Sequence, residues 1–134
     1  MQSIATFENT KHEPAHLGEG NASDGRSRVK AQRLYKGALV GESAGDILVC
    51  QVSEKDFGYV GMDLFNGSLD GRCGTFVYQH GELNVGGKVK PFGFIVTGSG
   101  TGALKGIEGD VLITVSPEWV HTITLNWEIA KLSA

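Results

Sequence analysis

The sequence is poor in cysteine and proline, and neither sign of charge is in large excess. Its 134 residues include two cysteines and three prolines, and 12 basic side chains face 15 acidic ones, for a formal net charge of -3. Cys50 and Cys73 have no CxxC spacing, which excludes a metal knuckle or redox pair and predicts reduced thiols, with Cys50 buried in an apolar run. The scattered lysines and arginines give no surface suited to nucleic acid.

Long apolar runs are also absent. No stretch approaches the length of a membrane span, and the first 16 residues lack the basic cluster and apolar run of a signal peptide. We therefore expect a cytoplasmic protein without membrane or nucleic-acid partners. The length suits one core, and no linker divides the chain, so residues 1–134 are predicted to form a single domain.

Glycine, in contrast, is abundant, with 20 residues spread among runs of Val, Ile, Thr, Phe and Tyr. This composition is typical of short strands joined by tight turns. The clearest strand is Trp119 to Ile129, in which apolar residues and His121 alternate with mostly polar ones. Seven further runs predict about eight strands in all: "SIATFEN", "RVKAQRLYKGALVG", "DILVCQV", "GYVGMDLFNG", "GTFVYQH", "PFGFIVTG" and "GDVLITV". Residues 12–26 and 81–90 are predicted to be loops.

The most glycine-rich stretch, "GSGTGALKGIEG" at residues 98–109, does not fit a phosphate-binding loop. A dinucleotide fingerprint needs GxGxxG, but Ala103 or Lys105 takes the last position, depending on the starting glycine. A Walker loop needs Gly-Lys followed by Ser or Thr, and here Lys105 precedes Gly106. The following "GDVLITV" is strand-like, so no helix N-terminus is expected there. We interpret these glycines as turns between strands and expect no nucleotide cofactor.

The segment "HEPAH", His12 to His16, matches the letters of the HExxH zinc-peptidase motif. That motif needs a helix that places both histidines on one face, and Pro14 would interrupt such a helix. A loop after the first strand is the preferred interpretation, and no metal site is expected.

Four motifs in fixed order are similar to those of a known family. They are Tyr59 to Gly61, Gly67 to Phe76 ("GSLDGRCGTF"), Gln79 to Gly81 and Ser99 to Gly109. They resemble the YxG, GxxDGRxGxF, QHxG and SGTGxLxGxxG motifs of a bacterial domain-of-unknown-function family with an allene-oxide-cyclase-like barrel. The resemblance covers roughly residues 35–130.

This resemblance implies an all-β fold: a single antiparallel eight-stranded β-barrel, also related to dirigent proteins. It further implies a cavity for apolar small molecules, a tendency to form homo-oligomers, and a turn between two late strands at Gly98 to Gly109. Cyclase activity does not follow, because function depends on the site rather than the fold. Ile95, at an outward position of "GFIVTG" by our assignment, adds to the expectation of self-association.

Alternate residues of a barrel strand point inward, which gives a set of candidate ligand-binding residues. Three strands each place aromatic side chains on one face together with a histidine or an aspartate. Trp119 and Leu125 share this face in the last strand. The candidates are Tyr59, Asp63, Phe76, Tyr78, His80, His121 and Trp127. The alternative is that His80 closes a strand end, His121 is a hydrogen-bonded core residue, and the aromatics are ordinary packing.

Three functions remain open at this stage. The barrel could bind a small apolar or amphipathic molecule, oriented by His80, His121 or Asp63. It could instead be a cofactor-free isomerase or cyclase, in which Asp63 or a histidine acts as general acid or base. It could also be a ligand-free interaction module, filled by its own side chains. The sequence names no ligand, pathway or number of subunits.

Overall fold

Eight antiparallel strands close into a barrel in the computed structural model, which describes residues 1–17 and 24–130. The strands are β1 Gln2–His16, β2 Arg26–Gly37, β3 Leu39–Gln51, β4 Phe57–Leu69, β5 Arg72–Val85, β6 Lys88–Ile95, β7 Ile107–Val115 and β8 His121–Ile129. Each strand pairs with the next along the chain, and β8 pairs with β1. Closure satisfies the strand edges that an open sheet would expose. The predicted eight-stranded antiparallel β-barrel is confirmed.

Side-chain alternation decides what enters the barrel. In β2, Val29, Ala31, Arg33 and Tyr35 are buried, whereas the residues between them are exposed. The larger apolar cluster occupies the end of the barrel that carries the β2–β3 and β4–β5 turns, which we call the closed end. The opposite end, which we call the open end, carries the β3–β4, β5–β6 and β7–β8 connections.

The "GSGTGALKGIEG" segment joins β6 to β7, two late strands, as predicted. It contains a short 3-10 helix, Gly102–Leu104, whose Leu104 side chain is completely buried at the closed end. Thr101 fastens this connection to β5, since its hydroxyl accepts a hydrogen bond from the Thr75 amide at 3.0 Å. The glycine-rich stretch therefore helps to close the barrel. No helix in the described residues is long and apolar enough to cross a membrane.

Both predicted loops contain strand instead. β1 continues through "HEPAH" and pairs with β2 as far as His16 and Ser27, and residues 18–23 lie outside the described part of the chain. The 81–90 segment is a hairpin in which Val85 pairs with Lys88. These extensions run beyond the packed core, so their residues lack the apolar alternation that marks a half-buried strand.

Two of the predicted strands also differ from those in the structure. The run "RVKAQRLYKGALVG" is divided at Ala38 between β2 and β3. The last strand begins at His121 rather than Trp119, because residues 116–120 form a turn in which the Ser116 hydroxyl accepts from the Val120 amide at 3.1 Å. Trp119 has a positive φ of 64° and is 80% exposed, so its assignment to the inward face was wrong.

The expected burial of two further residues is reversed. Cys50 is an exposed free thiol on the outward side of β3, next to the partly buried Val49, because the apolar run has outward as well as inward positions. Ile95 is only 3% exposed, whereas Phe92 and Phe94 occupy outward positions of β6 and are exposed. The prediction that Ile95 forms part of an outer face was therefore wrong.

Candidate functional site

A cavity of about 270 Å³ opens at the open end of the barrel. By area the wall is mainly apolar, and apolar and polar residues line it in equal number. The apolar lining residues are Phe7, Val29, Ile47, Val49, Phe57, Ile113 and Val115, and the polar ones are Asn9, His12, Arg33, Gln51, Tyr59, Glu82 and His121. Such a mixture is typical of small-molecule sites, in which apolar burial gives affinity and a few polar groups fix orientation.

A buried ion pair lies at the inner end of this cavity. Arg33 on β2 donates from Nη1 to Oδ2 of Asp63 on β4 at 3.1 Å, and Asp63 is completely buried. The guanidinium also lies over the Phe7 ring, 4.9 Å from its centre. Two opposite charges inside a barrel are stable only when each is paired and hydrogen-bonded, and both conditions are met here.

His80 on β5 links the same carboxylate to a cavity residue. Its Nε2 lies 2.7 Å from Oδ2 of Asp63, and its Nδ1 lies 3.4 Å from the Tyr59 hydroxyl. An ionised carboxylate only accepts hydrogen bonds, so Nε2 donates to Asp63. In the neutral imidazole, Nδ1 then accepts from the Tyr59 hydroxyl. Tyr59, His80 and Asp63 thus form a hydrogen-bonded chain from the cavity into the barrel.

Two further tyrosines complete the buried network. The Tyr35 and Tyr78 hydroxyls are 2.6 Å apart, and Tyr35 also contacts the Ser43 hydroxyl at 2.7 Å. Ser43 donates to Oδ1 of Asp63 at 3.2 Å, while the Tyr78 hydroxyl accepts from Nη1 of Arg33 at 3.2 Å. Burial raises the pKa of both tyrosines, so both remain protonated near neutral pH.

Glycines on neighbouring strands make room for the two central side chains. His80 lies opposite Gly61 in the β4–β5 pair, and a Cβ at Gly61 would stand 3.1 Å from His80 Nε2. Asp63 lies opposite Gly45 in the β3–β4 pair. Each glycine therefore leaves space on the inner wall for the polar side chain beside it.

Burial also affects the ionisable groups that line the cavity. It raises the pKa of Tyr59 to about 12 and raises the pKa of Glu82 above its ordinary value. Burial, together with the positive charge of Arg33, lowers the pKa of His121. Near neutral pH the cavity therefore presents a phenol hydroxyl at Tyr59 and a neutral imidazole at His121.

The structure divides the seven predicted site residues into three groups. Tyr59 and His121 line the cavity, and Asp63, Tyr78 and His80 belong to the buried network beneath it. Phe76 and Trp127 face inward but belong to the core cluster and do not line the cavity. Phe76 stacks on Phe65, with ring centres 5.2 Å apart, and the Trp127 indole donates to the Ser3 hydroxyl at 2.9 Å.

Arg33, Tyr35 and Ser43 are central to the network, yet they were not among the predicted residues. The sequence did indicate an inward position for Arg33, because Arg33 alternates in step with Val29, Ala31 and Tyr35 on one strand face. A basic residue at an inward position requires a buried partner, and the inward Asp63 is one. Which strand supplied the partner could not be read from the alternation.

No cluster of three histidine, cysteine or acidic side chains within residues 1–17 and 24–130 is arranged to hold a metal ion. His12 of "HEPAH" lies on a strand and is one of the residues that line the cavity. The helix that a zinc-peptidase motif requires is replaced there by β1.

Comparison with known proteins gives the family. A family model described as "Protein of unknown function (DUF3224)" matches residues 3–127. A crystal structure at 1.84 Å of a DUF3224 protein of unknown function from Shewanella oneidensis MR-1 is similar, with a TM-score of 0.87, 24% identity and 98% of each chain covered. No curated protein matches the chain. The similar structure supports the barrel fold, and the family match, which spans nearly the whole sequence, shows that this chain belongs to the DUF3224 family.

Proposed function

We propose that the barrel binds a small apolar or amphipathic molecule in the cavity at its open end. One observation carries the proposal: an apolar-walled space ends on a buried hydrogen-bonded network around Arg33 and Asp63. The closed end shows how the barrel can be filled by aliphatic and aromatic side chains. Burying an ion pair is seldom more stabilising than apolar packing, so the charges at the open end suggest a function.

The resemblance to allene-oxide-cyclase-like barrels agrees with this proposal, because those barrels enclose apolar molecules. It supplies no activity, and the DUF3224 description supplies none either. We place the protein in the bacterial cytoplasm as part of the same proposal. In that setting, the cavity would take up a metabolite rather than a secreted ligand.

The test is extraction of the freshly purified protein with organic solvent, together with native mass spectrometry and titration with naphthalene, an apolar fluorescent probe small enough for the cavity. Ile113 lines the cavity, whereas its neighbour Leu112 is exposed on the outer side of β7. Ile113→Trp should fill the cavity and abolish naphthalene binding, and the matched Leu112→Trp should leave it unchanged. Circular dichroism and thermal melting confirm that each variant is folded. Equal naphthalene binding by both variants would place the probe elsewhere and overturn the proposal.

A second candidate function is cofactor-free isomerisation, which the Tyr59, His80 and Asp63 chain favours. A phenol hydroxyl at the cavity wall, backed by an imidazole and a carboxylate, is suited to passing a proton to or from a bound molecule. Such a reaction moves a proton within the substrate and needs no cofactor. Tyr59 would then contact the substrate, while His80 and Asp63 would position it.

Deuterium incorporation separates this second function from simple binding. A compound recovered from the barrel by extraction would be incubated with the protein in deuterium oxide. Mass spectrometry would then measure the increase in its mass. Tyr59→Phe should abolish incorporation while retaining binding, because the ring remains and only the hydroxyl is removed. If the wild-type protein gives no incorporation above the buffer rate, the binding function alone remains.

We also propose that the chain self-associates through an outer apolar face on β3, β4 and β6. This face consists of Leu48, Val60, Met62, Leu64, Phe92 and Phe94, all exposed, and it contains a groove of about 630 Å³. The ion pair of Arg28 and Asp46 lies at its edge, with both side chains about half exposed. A second copy related by twofold symmetry would present the same apolar surface and both signs of charge.

A further inference from the structure

Arg33 has one guanidinium nitrogen without a protein partner. Its Nε donates to Asn9 Oδ1 at 3.2 Å, and its Nη1 donates to Asp63 and Tyr78. Within the described part of the chain, no group accepts a hydrogen bond from Nη2. No fully buried side-chain nitrogen or oxygen there lacks a partner, so Nη2 must retain some accessible surface.

That accessible surface faces the cavity. Arg33 is only 7% exposed, and it lines the open-end cavity. The neighbouring Nη1 is directed towards Asp63 and Tyr78, which are completely buried, so the remaining edge of the guanidinium is the one beside open space. A guanidinium nitrogen donates hydrogen bonds and never accepts them. The apolar cavity therefore contains a fixed donor that no described protein group satisfies.

We propose that the ligand of this cavity is an apolar molecule with an uncharged acceptor oxygen, such as a ketone or ester carbonyl, bound to Nη2 of Arg33. This inference rests on the proposed binding function and adds the chemical class of the ligand. A ligand without an acceptor would displace water from Nη2 and leave the donor unsatisfied, at a cost in affinity.

The charges around the site favour a carbonyl over a carboxylate. The positive charge of Arg33 is already balanced by Asp63 at 3.1 Å. Glu82 also lines the cavity and contributes a further negative charge when it is ionised. A ligand carboxylate would be the second anion beside one guanidinium. Removing it from water would cost free energy that Arg33, already paired with Asp63, would not offset. A carbonyl oxygen accepts from Nη2 and brings no charge.

The volume of the cavity sets the size of the ligand. A space of about 270 Å³ corresponds to roughly nine water molecules at about 30 Å³ each. Acetophenone, benzoate and cumene fit this size and have the same number of non-hydrogen atoms. They share a phenyl ring and differ only in the attached group, which is a methyl ketone, a carboxylate or an isopropyl group.

The experiment compares the affinities of these three probes for the wild-type protein, by titration followed with nitrogen–proton correlation NMR. We expect acetophenone to bind at least about tenfold more tightly than either benzoate or cumene. Tightest binding of benzoate would overturn the uncharged class, and cumene binding as tightly as acetophenone would overturn the role of the Nη2 donor. Both results would leave the proposed binding function standing. Failure of all three to bind, together with failure of naphthalene, would overturn both proposals.

A paired variant tests whether Arg33 is the donor. Arg33→Met together with Asp63→Asn removes both charges at once, so neither is left buried without its partner. This variant should lose the preference for acetophenone over cumene. Retention of the full preference would assign the donor to another group and overturn the inference. If the variant does not fold, as judged by circular dichroism, the wild-type ranking still decides the ligand class.

Discussion

Asp63 on β4 lies directly opposite Gly45 on β3, and a Cβ built at Gly45 would stand 2.5 Å from Asp63 Oδ1 and 2.6 Å from the Met62 carbonyl oxygen. The carboxylate thus occupies the space that a side chain at position 45 would need. The ion pair with Arg33 therefore requires the lack of a side chain at Gly45 as well as the two opposite charges.

Gly45→Ala should therefore destabilise the barrel. The added methyl group meets backbone as well as the carboxylate, so the strands must move apart, at an expected cost of about 1–3 kcal/mol. Gly58→Ala is the matched control, because a Cβ at that β4 glycine would make only ordinary contacts at 3.7 Å. Urea unfolding of both variants measures the difference. Equal stability of the two variants would contradict the close approach.

The two arginine–aspartate pairs of the barrel should differ in their contribution to stability. Asp63→Asn leaves the Arg33 charge buried without its partner and should cost about 3–5 kcal/mol. The exposed pair of Arg28 and Asp46, at 2.7 Å, provides the control, and Asp46→Asn should cost less than about 1 kcal/mol. Chemical unfolding checks both values. Similar losses in the two variants would show that the inner pair is well hydrated.

We expect His80 to have a structural role and His121 to be a residue of the cavity wall. His80→Leu removes a donor to the completely buried Asp63, and we expect it to cost about 1–3 kcal/mol of unfolding free energy. His121→Leu changes only the cavity wall and the contact with the Phe7 ring, so stability should change by about 0.5 kcal/mol or less while naphthalene affinity changes. Thermal melting and naphthalene titration report the two effects. A large loss of stability in His121→Leu would assign it to the core instead.

Alkaline titration should show that all three tyrosines resist ionisation. Burial raises the pKa of Tyr35, Tyr59 and Tyr78 above the ordinary 10.0, and that of Tyr59 reaches about 12. The folded protein holds these protons more tightly than the unfolded chain, so this contribution to stability is present below pH 10.0 and is lost as the pH rises towards about 12.

The measurement is the ultraviolet absorbance of tyrosinate as a function of pH. Folded protein at pH 10.0 should show clearly less tyrosinate than the chain unfolded in urea, which should be half ionised at the same pH. Half ionisation of the folded protein at this pH would place the hydroxyls in solvent.

Self-association should depend on the outer apolar face. Met62→Lys places a charge at the centre of that face, where burial in an interface would be unfavourable, and should give monomers in sedimentation experiments. Ile4→Lys is the control, since Ile4 is similarly exposed but lies on β1, which is not next to any strand of this face. A wild-type protein that is monomeric at high micromolar concentration would contradict the proposal.

Alternation of side chains in the sequence was enough to establish strands and most of their inward faces, whereas the closed barrel was implied by the family resemblance. The positions of Tyr59, Asp63, Tyr78 and His80 on inward faces followed from it, because a strand repeats every two residues whatever its neighbours are. The same rule misjudged Trp119, where a turn ends the repeat, and the polar strand extensions, where no core exists to impose one.

What only the tertiary structure decided is which inward side chains meet. Phe76 and Tyr78 are two residues apart on one face of β5, yet Phe76 packs in the core on Phe65 and Tyr78 reaches Arg33. Likewise, Tyr35 and Tyr78 bring their hydroxyls within 2.6 Å across 43 residues of sequence. The position of a side chain along the barrel axis depends on the stagger between neighbouring strands. That stagger is set by strand pairing together with closure of the barrel. Strand parity carries no information about that position, and so the sequence alone separated inside from outside for most strands but could not separate the cavity from the core.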